Sequence, residues 1–223
     1  MPFFTLNFIE FFEKLEKNNN RDWFNENKAE FISNVKEPFE HFVETLLNEI
    51  REKDDSFTLS PKEAIFRIYK DVRFSKNKLP YKTFVSAIIS EGGRKDFTSP
   101  GFYLELSSNG ISFYGGAHFL EKNQLQNLRE FIADNLEQFH LIIKDKNFKK
   151  HFGTVLGEVN KRIPREFKTL FEEEPLIAKK QFYFLKKLDS KHLISKNLIK
   201  TIMDLYHVGN PLNQFLKTGI SSH

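Results

Sequence analysis

Phe102-Tyr103-Leu104-Glu105-Leu106-Ser107-Ser108-Asn109-Gly110-Ile111-Ser112-Phe113-Tyr114 is the stretch on which the fold turns. Two apolar runs flank an Asn-Gly pair. Asn and Gly accept the positive φ that a tight hairpin turn needs, so strands over 102–106 and 111–114 are expected to pair antiparallel. Just upstream, 83–90 is β-branched and apolar and reads as another strand. Further on, 175–187 reads as a short helix followed by a strand. Outside this middle region the apolar residues recur at helical spacing. Helices, then a hairpin, then helices is not the strand–helix alternation of a parallel dinucleotide-binding sheet. The expectation is α+β: an antiparallel sheet of roughly four strands in the middle of the chain, with helices from both ends packed on one face, in a single domain over 1–223.

On the N-terminal side, Phe8, Ile9, Phe11, Phe12 and Leu15 mark a helix over 6–17. Asn18, Asn19 and Asn20 break it, and one of them is expected to cap the next helix. That helix is expected over 21–52, kinked or divided at Pro38. On the C-terminal side, helices are expected over 121–135, 137–145 and 147–152, with irregular chain from 152 to 167. Glu172-Glu173-Glu174 reads as a solvated acidic turn before Pro175. A helix from about 195 to 207 is expected to end at Gly209. Asn210-Pro211 then matches a cap and first turn for a last short helix to about 217.

The densest mixture of charge and aromatics is Arg67-Ile68-Tyr69-Lys70-Asp71-Val72-Arg73-Phe74-Ser75-Lys76-Asn77-Lys78-Leu79-Pro80-Tyr81-Lys82. Read as a strand over 65–74, it places Phe66, Ile68, Lys70, Val72 and Phe74 on one face and Ile65, Arg67, Tyr69, Asp71 and Arg73 on the other. Neighbours on one face lie roughly 7 Å apart, so Asp71 can orient either arginine. The loop that follows is polar and ends at Pro80. Six basic residues against one acid suit an anion held by an arginine fork, a carboxylate and surrounding lysines. The same residues also suit a structural ion-pair network on a half-exposed sheet face.

These residues resemble a bacterial family, domain of unknown function 2461. Its signature has the form R-x-x-R-D-x-R-F, followed by a lysine and a tyrosine. Here it falls on Arg67, Asp71, Arg73, Phe74, Lys78 and Tyr81. Lys70 stands where the family has arginine and keeps the charge without the bidentate fork. Asn19-Asn20-Arg21-Asp22-Trp23-Phe24 and Gly101-Phe102-Tyr103-Leu104 are also similar to the family. The resemblance covers most of the chain and implies a fold and a site, but no reaction.

The chain has 223 residues, 26 of them Phe, no Cys and a net charge of +4. The core is therefore phenylalanine-rich. Disulfides, thiolate metal sites and cysteine nucleophiles are excluded. The lack of Cys, of a leader-like start and of any long apolar run points to a cytoplasmic protein without a membrane association. Gly92-Gly93-Arg94-Lys95 lacks the spacing of a phosphate-binding P-loop, and no metalloprotease, EF-hand or nucleophile-elbow motif occurs. His118, His140, His151, His192 and His207 lack metal-ligand spacing, so neither a metal nor a cofactor is expected.

Three functions follow. The first is a site for a phosphate-bearing small molecule formed by Arg67, Tyr69, Asp71, Arg73, Lys78 and Tyr81, with Arg73 needed for binding. The second is nucleic-acid binding through loop 75–82, with Phe74 and Tyr81 stacking on bases. The third is a protein-interaction domain in which the signature is purely architectural. Whether the chain is an enzyme is left open by the sequence.

Overall fold

The hairpin forms where the sequence places it, with its turn at Ser108-Asn109 and Gly110 opening the second strand. The computed structural model describes residues 1–223 except Ser56, Phe74, Ser75, Ser222 and His223. Phe74, expected both on the signature strand and as a stacking partner, thus lies outside the described residues. In chain order the main elements are α1 (Leu6–Lys17), α2 (Arg21–Glu26), α3 (Lys28–Phe31), α4 (Glu37–Arg51), α5 (Pro61–Ala64), β1 (Phe84–Ile89), β2 (Gly101–Ser107), β3 (Gly110–Ala117), α6 (Lys122–Asp134), α7 (Leu136–Ile143), α8 (Lys146–Phe152), α9 (Lys168–Glu173), β4 (Phe182–Leu188) and α10 (Leu198–Ser221). The four strands form one antiparallel sheet in the order β1-β2-β3-β4, with helices towards both ends of the chain, so the α+β expectation holds. Gly110 has φ +118°, and a side chain there would collide with the Leu188 carbonyl oxygen at the end of β4. The turn and the strand beside it therefore both require glycine. Among the described residues no helix is long and apolar enough to cross a membrane.

The chain divides into two compact units. The first comprises Met1–Lys95, Tyr103–Phe113 and Lys187–Met203. Its core is a phenylalanine cluster. Phe8, Phe11, Phe12 and Leu15 come from one face of α1, and Phe39, Phe42, Val43, Leu46, Leu47 and Ile50 from one face of α4. Phe4 joins them, its ring centroid 4.6 Å from Phe8 and 5.6 Å from Phe42. Burying each such side chain contributes about 1.5–3 kcal/mol. The helix expected over 21–52 is interrupted twice. It breaks at Asn27, and Ile32–Lys36 forms a π turn ahead of α4. Proline lacks an N–H, and its ring crowds the carbonyl four residues back. The wider π turn lies where that carbonyl, on Asn34, precedes Pro38.

The regular strand expected over 65–74 does not form. The segment bends at Ile68, yet its burial alternates as predicted: Phe66, Ile68, Lys70 and Val72 are more covered than Arg67, Tyr69, Asp71 and Arg73. The ladder, however, is reduced to two isolated antiparallel bridges, Ile65 with Ala87 and Tyr69 with Tyr81. The bridged residues are four positions apart on one side and six on the other. Two extra residues in the returning chain therefore bulge out and interrupt the pairing.

The second unit comprises Asp96–Phe102, Tyr114–Lys186 and Asp204–His223. Phe102, Phe139, Phe148, Phe182 and Phe184 are almost wholly buried in it. Phe148 and Phe152 of α8 lie 5.4 and 4.4 Å from Phe184 of β4, centroid to centroid. The expected stop at Gly209 and restart at Asn210-Pro211 do not occur, because α10 runs straight through both. Gly209 acts here as a contact surface. A Cβ on it would sit 2.5 Å from Phe184 Cζ and 3.0 Å from Phe102 Cε1. An interior proline costs a helix about 3 kcal/mol. Burial of Leu205, Leu212, Phe215 and Leu216 along the same helix offsets that loss. The acidic turn also needs correction. Glu172 and Glu173 are exposed, but Glu174 is buried. Its Oε1 accepts from the Leu176 N–H at 2.9 Å, and His140 Nε2 donates to its Oε2 at 2.9 Å. These two hydrogen bonds allow the carboxylate to be buried.

Candidate functional site

The signature segment is anchored from α2. The Asn20 side chain caps that helix by accepting from the Trp23 N–H at 3.0 Å. Asn19, just before it, is buried and reaches across to Tyr81. Its Nδ2 donates to the Tyr81 carbonyl at 3.0 Å, and its Oδ1 accepts from the Tyr81 N–H at 3.1 Å. The flanking backbone bonds explain this geometry. Lys70 N donates to Pro80 O (2.9 Å) and Lys82 N donates to Ile68 O (2.8 Å). Tyr69 and Tyr81 are therefore a non-hydrogen-bonded antiparallel pair, whose own N–H and C=O groups point outward. The Asn19 side-chain amide takes the place that a further strand would fill. The Tyr81 ring is buried and stacks on Phe24, with centroids 4.0 Å apart and planes 15° from parallel. Burial pushes the Tyr81 hydroxyl pKa up; the Tyr69 ring adds to this, and Arg21 opposes it.

Beyond Val72 the loop holds itself. Arg73 grips Asp71 with a fork: Nε donates to Oδ1 at 3.0 Å and Nη2 to Oδ2 at 2.6 Å. The Arg73 backbone N–H adds a third bond to Oδ1 at 3.2 Å. These bonds hold the Asp71 carboxyl at about 2, with Arg67 a lesser influence. Lys78 Nζ donates to the Val72 carbonyl at 2.9 Å and contacts that of Arg73 at 3.4 Å. Arg73 and Lys78, two of the residues expected to hold an anion, are thus engaged in shaping the loop.

A different set of cations lies around Lys82. Its ammonium is half-buried, 5.2 Å from the Phe66 ring centroid and 5.7 Å from that of Phe84. Burial lowers its pKa; Glu105 works against this, while Arg67 and Lys70 add to it. Among the described residues, the side chains of Arg67, Lys70 and Lys82 make no hydrogen bond and no ion pair. Glu105 on β2 is the carboxylate beside them, and it accepts a hydrogen bond from the Tyr103 hydroxyl at 3.2 Å. Arg67 and Lys70 oppose the charge of Lys82, with Glu105 the carboxylate that favours it and Asp71 near Arg67 already gripped by Arg73, which leaves a local positive excess.

Of the six expected site residues, Arg67 is exposed beside this cluster and Tyr69 is exposed against Phe24 and Tyr81. Asp71, Arg73 and Lys78 form the loop, and Tyr81 is the buried anchor. Sequence reasoning missed Asn19, Lys82, Tyr103 and Glu105 as members of the site. Two signals were present: Lys70 breaks an otherwise apolar face, and Glu105 is the one charge in the strand 102–106.

Residues 7–215 match the family described as "Conserved hypothetical protein (DUF2461)". No solved structure matches the chain.

Proposed function

As this chain belongs to the conserved hypothetical protein family DUF2461, whose description carries no reaction, we propose from its geometry that it binds a phosphate-bearing small molecule. Arg67 is the principal contact, with Tyr69 on the same face of the segment and Lys82 close enough to oppose its charge. Asp71, Arg73 and Lys78 shape the adjoining loop, and Tyr81 anchors it to α2. The observation that carries this reading is that Arg67 and Lys70 both oppose the charge of Lys82, and that none of the three has an ion-pair partner among the described residues. Uncompensated like charges disfavour the folded state, and a bound anion relieves that penalty while accepting a guanidinium fork. The setting we propose is a bacterial cytoplasm, where a chain without cysteine needs no oxidising compartment.

The test is titration of inorganic phosphate and a panel of phosphate monoesters, followed by calorimetry and thermal shift. A ligand at a hundred times its Kd adds about 2.7 kcal/mol to stability. Arg67→Ala removes a charge-assisted hydrogen bond and should weaken binding by roughly 10- to 100-fold. Arg73→Ala should weaken it less. Equal binding by wild type and Arg67→Ala would sink the reading. Tight, steeply salt-dependent binding of an oligonucleotide, with no response to monoesters, would replace it with nucleic-acid recognition.

A further inference from the structure

We propose that the groove along α7 is a second site, independent of the anion site, where His140, oriented by Glu174, is the general base for hydrolysis of an uncharged carboxylic ester. Leu136, His140 and Lys144 recur at four-residue spacing, which puts them on one stripe of α7 and its final turn. With Leu141 and the start of α8 they line a groove of about 910 Å³. The His140 side chain is 19% exposed and that of Glu174 only 7%, so the imidazole is the member of the pair that faces the groove. The Glu174 carboxylate accepts from Nε2 at 2.9 Å and is itself fixed by the Leu176 N–H. That bond holds the proton on Nε2 and leaves the lone pair on Nδ1. Among the described residues Nδ1 has no hydrogen-bond partner.

A carboxylate-oriented imidazole supplies two of the three roles of a hydrolytic triad, and water takes the third. The Nδ1 lone pair takes a proton from a water whose oxygen attacks the acyl carbon, and the carbonyl π pair moves to oxygen. Glu174 stabilises the imidazolium that forms. The Lys144 ammonium, one turn along the same stripe, offsets the charge on the oxyanion. The intermediate then collapses: the C–O bond to the alcohol breaks, and the leaving oxygen takes the proton back from the imidazolium. An acid and an alcohol are formed, and no oxidant or reductant is needed. The lining sets the substrate class. Leu136 and Leu141 offer apolar contact, whereas Glu137, Asp145 and Glu173 outnumber Lys144 and Lys146. A neutral carboxylic ester is therefore favoured over a phosphate ester.

The experiment uses the full chain with p-nitrophenyl acetate, a neutral ester whose alcohol is read by absorbance. A general base contributes about 100-fold or more, so His140→Gln should lower kcat/KM by at least that factor. His192 is the control. Its Nδ1 pairs with Asp189 at 2.7 Å, but that carboxylate is exposed, and His192→Gln should leave turnover unchanged. Glu174→Gln keeps an acceptor for the Leu176 N–H and should lower kcat on the order of tenfold or more with KM unchanged, a split that a purely structural role would not give. Far-UV circular dichroism checks the fold of each variant. If His140→Gln does not fold, carbethoxylation of the wild type with diethyl pyrocarbonate decides, because turnover should fall in step with the modification of His140 seen by peptide mass spectrometry. Turnover that survives loss of the His140 imidazole by either route would overturn the proposal, as would turnover no greater than that of the denatured chain. Hydrolysis of p-nitrophenyl phosphate in preference to the acetate would overturn the substrate class.

Discussion

Replacing Asn19 with alanine tests the anchor on which the candidate site depends. In the folded protein the Asn19 amide makes both a donor and an acceptor bond to the Tyr81 backbone, at 3.0 and 3.1 Å, and both residues are buried. The variant loses two hydrogen bonds and leaves an N–H and a C=O inside the protein without partners. Each orphaned group costs about 1–3 kcal/mol, less whatever a penetrating water restores. The expected loss is therefore about 2–4 kcal/mol. Asn20→Ala is the comparison: it removes one cap at a neighbouring exposed position and should cost about 1 kcal/mol. Asn19→Asp sharpens the test, because it keeps the acceptor but sets a carboxylate against the Tyr81 carbonyl. It should be at least as damaging as alanine. Urea unfolding followed by far-UV circular dichroism measures all three. If Asn19→Ala costs no more than Asn20→Ala, the side-chain amide does not stand in for a strand and the argument fails.

Two further tests address the loop and the C-terminal helix. The Asp71 carboxyl should titrate near 2 by carbon-detected NMR, against an ordinary 3.8, and return towards that ordinary value in Arg73→Ala. Its folded-state pKa lies below its unfolded one, so its stabilising contribution is present above about 3.8 and is lost as pH falls through about 2. Gly209→Ala sets two effects against each other. Alanine favours an exposed helix interior by about 1 kcal/mol over glycine. Here its methyl would press on the Phe184 and Phe102 rings, and overpacking costs about 1–3 kcal/mol. Net destabilisation in thermal unfolding is expected, and a stabilised variant would show that the contact yields easily.

Features set by short-range chemistry were legible in the chain alone. The Asn109-Gly110 hairpin, the cap at Asn20, the stripes of α1 and α4 and the α+β order each rest on neighbours a few residues apart. So does the Asp71–Arg73 fork, which spans two residues. What tertiary structure decided lies where distant segments meet. Gly209 and Pro211 look like a helix boundary until Phe184 is laid against one and an apolar face carries the other through. Glu174 looks solvated until His140 arrives from α7. The charges of the basic stretch were plain to read, but not which of them had partners. Arg73 and Lys78 find theirs within the loop, whereas Lys82 is set against Glu105 and between Phe66 and Phe84 by the return of the chain through the sheet. Side-chain type and local spacing follow from order along the chain. Desolvation and charge pairing depend on what packs alongside, and only the assembled fold determines that.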